Sequence, residues 1–146
     1  MSAKVARRPK LHVTDTGLGA VAIGLDGARL AASPAGGGVL ETFVFNELAK
    51  QAAAIDEPLV FAHFRDRSGI EVDIIIERAD GTVVAIEVKS ATSVSGRDAS
   101  GLRFLRERLG ERFRAGILLH TGARSARLDG DLWALPVAAL WGGTGG

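Results

Sequence analysis

Apolar residues between positions 39 and 54 recur at helical spacing. Leu40, Phe43, Val44 and Leu48 fall at i, i+3, i+4 and i+8 and make one face, which predicts a helix over 39–54. The pattern then changes. Residues 59–64, 70–77 and 83–89 are rich in Val, Ile and Phe, are bounded by turn residues, and read as strands. A second helix is predicted over 99–113, with Leu102, Leu105 and Leu109 on its apolar face. Residues 116–120 and 132–135 read as two short strands; Pro136 ends the second, and 137–141 as a last helical turn. Upstream, 10–25 reads as a short extended piece followed by a glycine-broken helix. Residues 31–38 read as a loop, because three consecutive glycines cost too much backbone entropy inside an element. The order α, β, β, β, α, β, β predicts an α/β domain, a central mixed sheet flanked by helices.

Composition narrows this only a little. The chain of 146 residues is one domain by length and long enough to bury a core without staples. Residues 1–9, basic and aperiodic, are expected to be a tail or linker, leaving 10–146 as the domain. With no cysteine, neither a disulfide framework nor a thiolate metal site can form. The first residues lack the apolar core of a signal peptide, and no apolar run is long enough for a membrane helix, so the expectation is a cytoplasmic protein without a membrane partner. Net charge is +1, but eight arginines against three acids between Arg97 and Arg127 make that stretch basic. Such a stretch either tracks a phosphate backbone or solvates a helix face.

The chemistry concentrates in one hairpin, residues 69–90, GIEVDIIIERADGTVVAIEVKS. A three-residue turn at Ala79-Asp80-Gly81, with glycine in the left-handed region, pairs Arg78 with Thr82. Asp73 then opposes Glu87, and Glu71 opposes Lys89. In that register Ile70, Val72, Ile74, Ile76, Val84, Ile86 and Val88 share an all-aliphatic face, which must be core, and the four charged residues share the other. A two-residue turn would slip the register by one and part the acids. Two carboxylates this close repel unless a cation lies between them. A hard divalent ion takes such oxygens, acidifies a water and neutralises charge on a phosphoryl oxygen. A lysine two residues along the strand points the same way and can orient that water. The plain alternative is a solvated strand face with cross-strand Glu–Lys pairs.

Asp73 followed after thirteen residues by Glu87-Val88-Lys89 resembles the PD-(D/E)XK nuclease superfamily. More closely, the chain resembles the C-terminal nuclease-like domain that follows the ATPase module in a large family of prokaryotic AAA+ ATPases. The likeness rests on DTGL (15–18), LETFVFNEL (40–48), FRD (64–66), EVD (71–73), IEVKS (86–90), GLR (101–103) and the closing LP…ALW (135–141). It implies a restriction-endonuclease-like fold acting as a nuclease on DNA or RNA with Mg²⁺ or Mn²⁺. Asp73, Glu87 and the Val88 carbonyl would hold the metal, and Lys89 would be catalytic. Glu41 stands where the superfamily often adds a helical glutamate; it is equally an acid suited to a helix's first turn. Arg65, Arg97 and Arg103 are the candidate contacts to nucleic acid. The alternative is a non-catalytic module on the same scaffold that binds nucleic acid or a partner AAA+ ATPase. No Gly-Lys dipeptide occurs, so the chain itself has no GxxxxGK[ST] phosphate loop.

Other signals carry less. The GxGxx(G/A) match at 17–22 lacks the strand–helix–strand setting of a dinucleotide site. His12, His63 and His120 have no zinc-like spacing; His63 lies on a strand ahead of Asp73, within reach of the site, but a structural role is expected of it. Trp133 and Trp141 are expected in the core or at an interface.

Overall fold

The computed structural model describes residues 34–142. The tail, the elements expected over 10–25, the glycine match at 17–22 and His12 lie outside the described residues.

Helix α1 spans Pro34–Ala53. It therefore begins within the stretch expected to be a loop and carries three glycines in its opening turns. Proline at the first helical position has its φ preset and gives up an N–H that no intrahelical acceptor would have used. Burial further along outweighs the glycine cost: Val44 is fully buried, and Leu40 and Leu48 pack beside it.

Strands β1 (Leu59–Arg65), β2 (Glu71–Arg78) and β3 (Val83–Lys89) follow as an antiparallel meander. The β2–β3 turn is the three-residue form. Gly81 N–H donates to Arg78 O (2.9 Å), Arg78 N–H donates to Thr82 O (3.0 Å), and Gly81 takes φ 83°. The Asp80 carboxylate fixes the turn by accepting from the backbone N–H and hydroxyl of Thr82. The ladder pairs Glu77 with Val83, Ile76 with Val84, Ile75 with Ala85 and Ile74 with Ile86, the expected register.

A 3₁₀ turn at Gly96–Ala99, closed by a reciprocal Ser95–Asp98 capping box, leads into helix α2 (Ser100–Leu109). The second helix is shorter than expected. Gly110 at φ 55° stops it, and Phe113 belongs instead to strand β4 (Phe113–His120), where its ring enters the core. Strand β5 (Ala126–Asp129) has no counterpart in the expected order, and β6 (Leu132–Pro136) closes the sheet before a 3₁₀ turn at Val137–Trp141. The strand order is β1-β2-β3-β4-β6-β5. The β3–β4 and β4–β6 pairs are parallel and the rest antiparallel, giving a six-stranded mixed sheet.

Helices cover both faces. Val44 of α1 packs with Ile74, Ile86, Val88 and Leu119. Leu102 and Leu105 of α2 pack on the opposite face with Val72, Ala85, Phe113, Leu118 and Leu132. Val72 thus lies on the other side of the sheet from Ile74, contrary to the all-aliphatic face expected of alternation. The cause is a bulge. Ala62 pairs with Ile75 and Phe64 with Val72, so one residue of β1 spans both Asp73 and Ile74 of β2. The extra residue reverses the parity of β2 at Asp73. Neither tryptophan joins the core. Trp141 is exposed, lies near Phe43 and donates to Glu47, while Trp133 is exposed beneath the Arg127 guanidinium.

Candidate active site

The bulge sets the geometry of the acids. The β2–β3 ladder ends at Ile74–Ile86, so beyond it the N–H of Val88 faces no strand carbonyl. The Asp73 side chain takes that place: its Oδ2 accepts from Val88 N–H at 2.9 Å. A carboxylate replaces a ladder hydrogen bond where the strands separate, and Asp73 is held at the gap beside Glu87.

Glu87 lies on the α2 face, two residues beyond the buried Ala85. It is only 8% exposed. Lys89 Nζ lies 3.3 Å from its Oε1. Among the described residues, its Oε2 is the one fully buried side-chain oxygen or nitrogen with no hydrogen-bond partner. Burial, then the negative charge of Asp73, push the Glu87 carboxyl up to about 7; Lys89 opposes this and Glu71 adds to it.

Gly101 of α2 encloses that oxygen. A Cβ at this position would collide with the main-chain oxygen of Glu71 and would sit 3.1 Å from Glu87 Oε2 and 3.1 Å from Val72 Cγ2. Only a residue without a side chain lets α2 approach this closely.

These groups line one cleft of about 460 Å³. Glu41 and Gly37 from α1, residues 68–70 of the β1–β2 loop, and Ser100 with Gly101 from α2 surround Glu71, Asp73, Glu87, Val88 and Lys89. The N-terminal halves of two helices thus meet the acid end of the hairpin, and Glu41, well inside a helix that begins at Pro34, is not a first-turn acid. Among the described residues no group of three or more His, Cys, Asp or Glu side chains stands ready as a complete metal cage. The donors present still suit Mg²⁺. That ion is commonly held by one or two carboxylates, and keeps waters and takes substrate oxygens for the rest. The unpartnered Oε2 of Glu87 is a buried polar atom whose desolvation a cation would offset.

The sequence profile of a domain of unknown function (DUF4143) matches residues 36–140. The chain belongs to that family. No curated protein and no solved structure matches it. The matched span of this DUF4143 domain takes in all six strands, α2 and all but the first two residues of α1.

The expected site residues of the DUF4143 domain do not all converge. Asp73, Glu87, Val88, Lys89 and Glu41 line the one cleft. Arg65 sits at its rim, 3.9 Å from Glu71. Arg97 is exposed on the 3₁₀ turn before α2. Arg103 donates to Gly96 O and pairs with Asp129 at 3.9 Å, so its guanidinium is engaged within the domain. Several arginines of the basic stretch are engaged likewise: Arg106 holds Asp129 and Asp131, Arg112 holds Glu77, and Arg127 donates to Gly130 O. Much of that basic charge therefore ties β5, β6 and the hairpin to the helix side. His63 lies on β1 opposite the bulge and is not among the cleft residues.

Glu71 was not singled out as a site residue, although the hairpin register placed it beside Lys89. Gly101 stood out only as part of the GLR match, and no reactive group marks it, since its role is to bring no side chain to a crowded place.

Proposed function

We propose that this domain is a metal-dependent phosphodiesterase of the PD-(D/E)XK type that cleaves nucleic acid. One observation carries the reading: the buried, unpartnered Oε2 of Glu87, raised in pKa and set beside Asp73 and Lys89 in a single cleft. A solvated strand face with ordinary cross-strand ion pairs would leave no such atom. The architecture supports it, since the acids sit on an antiparallel hairpin that continues into parallel strands, with one helix packed on each face.

Asp73 and Glu87 hold the metal ion in this reading, with the Val88 carbonyl as a main-chain ligand. A bound Mg²⁺ or Mn²⁺ supplies Lewis acidity and a water of lowered pKa. The Val88 N–H keeps Asp73 oriented through its Oδ2. Lys89, whose Nζ lies 3.3 Å from Glu87 Oε1, would position the attacking water. Glu41 reaches the same cleft from α1 and orients a ligand water.

The test is calorimetric titration with Mg²⁺ and then Mn²⁺, wild type beside Asp73→Ala, followed by cleavage assays on DNA and RNA. Metal binding and cleavage by the wild type, both lost in the variant, are expected. Cleavage by Asp73→Ala at the wild-type rate would overturn the assignment. Binding of nucleic acid, or of an AAA+ ATPase, without cleavage under either metal would leave a nuclease-fold binding module instead.

A further inference from the structure

His120 ends β4 and is 3% exposed, one of two buried polar or charged residues in the described core; the other is Glu87. In the parallel β3–β4 pair it stands in register with Lys89. Both side chains lie on the α2 face. Lys89 follows Glu87 at a spacing of two, and His120 follows Leu118, which packs against Leu102 of α2. Neighbouring strands lie about 4.8 Å apart, so the imidazole is the next side chain along the sheet from the cleft's lysine, on the side away from the acids.

Its ring is fixed. The backbone N–H of Gly122 donates to Nδ1 at 3.0 Å. An imidazole nitrogen that accepts carries no hydrogen, so Nδ1 is occupied as an acceptor and Nε2 is the donor of the ring. The chain is pinned around it. Thr121 N–H donates to Ala91 O, and a Cβ on Gly122 would collide with Thr92 O, so the segments after β3 and β4 are held together. No hydrogen-bond acceptor for Nε2–H occurs among the described residues. The only fully buried unpartnered side-chain atom there is Glu87 Oε2, so Nε2, unpartnered in a residue that is 3% exposed, is not wholly enclosed. The result is a fixed donor at the C-terminal ends of parallel strands, the crevice where open α/β sheets take their ligands.

We propose that His120 Nε2–H binds a backbone phosphate oxygen of the nucleic acid, adjoining the phosphodiester at the carboxylates. This rests on the nuclease-fold reading for its ligand but not on cleavage. A donor whose other nitrogen is already taken up by the Gly122 N–H suits an anionic oxygen. The role is in holding substrate, not in proton transfer.

Asparagine separates this role from a structural one. His120→Asn keeps an acceptor where Nδ1 stood, and with it the Gly122 contact, but removes the Nε2 donor. His120→Gln returns a donor near the Nε2 position and cannot titrate. The full chain and both variants are compared by melting temperature, by Mg²⁺ calorimetry, and by anisotropy of one labelled oligonucleotide made as DNA and as RNA. Where the wild type cleaves, kcat and KM are measured as well. His120→Asn is expected to melt like wild type and bind Mg²⁺ normally, yet to bind the oligonucleotide roughly tenfold or more weakly, as for a lost hydrogen bond to a charged group. The loss falls on KM rather than kcat, and His120→Gln recovers most of it. The DNA and RNA arms show which backbone the donor serves. If His120→Asn proves unstable, His120→Gln decides: retained affinity supports the donor and lost affinity overturns it. Equal affinity in a folded His120→Asn, or no oligonucleotide binding by the wild type, also overturns the proposal. Weakened binding by His120→Asn in a protein that neither binds metal nor cleaves would uphold it while the phosphodiesterase reading fell.

Discussion

Glu87 couples the site to stability through pH. Its carboxyl is raised from the usual glutamate value of 4.5 to about 7, so the folded state binds its proton more tightly than the unfolded chain does. Stability from this group is full below about 4.5 and is lost as pH rises through about 7. Without divalent metal, the wild-type melting temperature should therefore fall across that window, and Glu87→Gln should flatten the fall and melt higher than wild type above it. A wild-type curve flat over the same range would contradict the buried surroundings beside Asp73 described for Glu87. Asp73 has two separable duties. Asp73→Asn keeps an oxygen for the Val88 N–H but not the charge, so it should fold as wild type and lose metal affinity. Asp73→Ala should lose both, with a further stability cost of about 1–3 kcal/mol for the stranded N–H. Denaturant melts and calorimetry of the pair distinguish the two. These acids were legible in the sequence because a three-residue turn at Ala79-Asp80-Gly81 sets the register that brings them together, where a two-residue turn would part them. The bulge at Asp73 was not. β2 reads Val72-Asp73-Ile74-Ile75-Ile76, apolar at both parities beyond the aspartate, so the pattern fits equally well with or without a reversal.

At the scale of elements, two glycines in helices make opposite demands. Gly101→Ala drives a methyl into the Glu71 main-chain oxygen, which cannot move without the strand, and should destabilise by about 1–3 kcal/mol while opening Glu87 to water. Gly38 of α1 faces open space, and Gly38→Ala should stabilise by about 0.5–1 kcal/mol by removing backbone freedom from the unfolded chain. Chemical denaturation checks both, and equal effects would refute the packing described at α2. The same contrast explains what was misread. Glycines speak for a loop only when nothing downstream holds them in a helix, and α1 is held by Leu40, Val44 and Leu48. Strand β5 escaped notice because Ala126–Asp129 is short and mostly exposed, so no alternation marks it. Its place is secured by pairing with β6 and by Arg106, partners remote in sequence.

For the whole molecule, a ligand that binds only the folded state stabilises it by mass action. Mg²⁺ at about a hundred times its Kd should add about 2.7 kcal/mol to wild-type stability and nothing to Asp73→Asn. A thermal shift series measures this, and an equal shift in both proteins would place the metal elsewhere. None of the described helices is long and apolar enough to cross a membrane. The α/β class, a mixed sheet flanked by helices, followed from the order of elements. What covers each face did not, because the meander is apolar on both sides and only α2, arriving through the β3–β4 crossover, decides which residues it seals.

That crossover has a kinetic consequence. The meander that carries Asp73 and Glu87 closes through local contacts, whereas Gly101 belongs to the crossover between β3 and β4, whose parallel pairing joins residues farther apart in sequence and is expected to form later. The two carboxylates therefore come together while water still screens them, and their repulsion grows only when α2 shuts water out. With docking after the folding barrier, raising pH through about 7 should speed unfolding and leave refolding nearly unchanged, a chevron whose two arms respond unequally to protons.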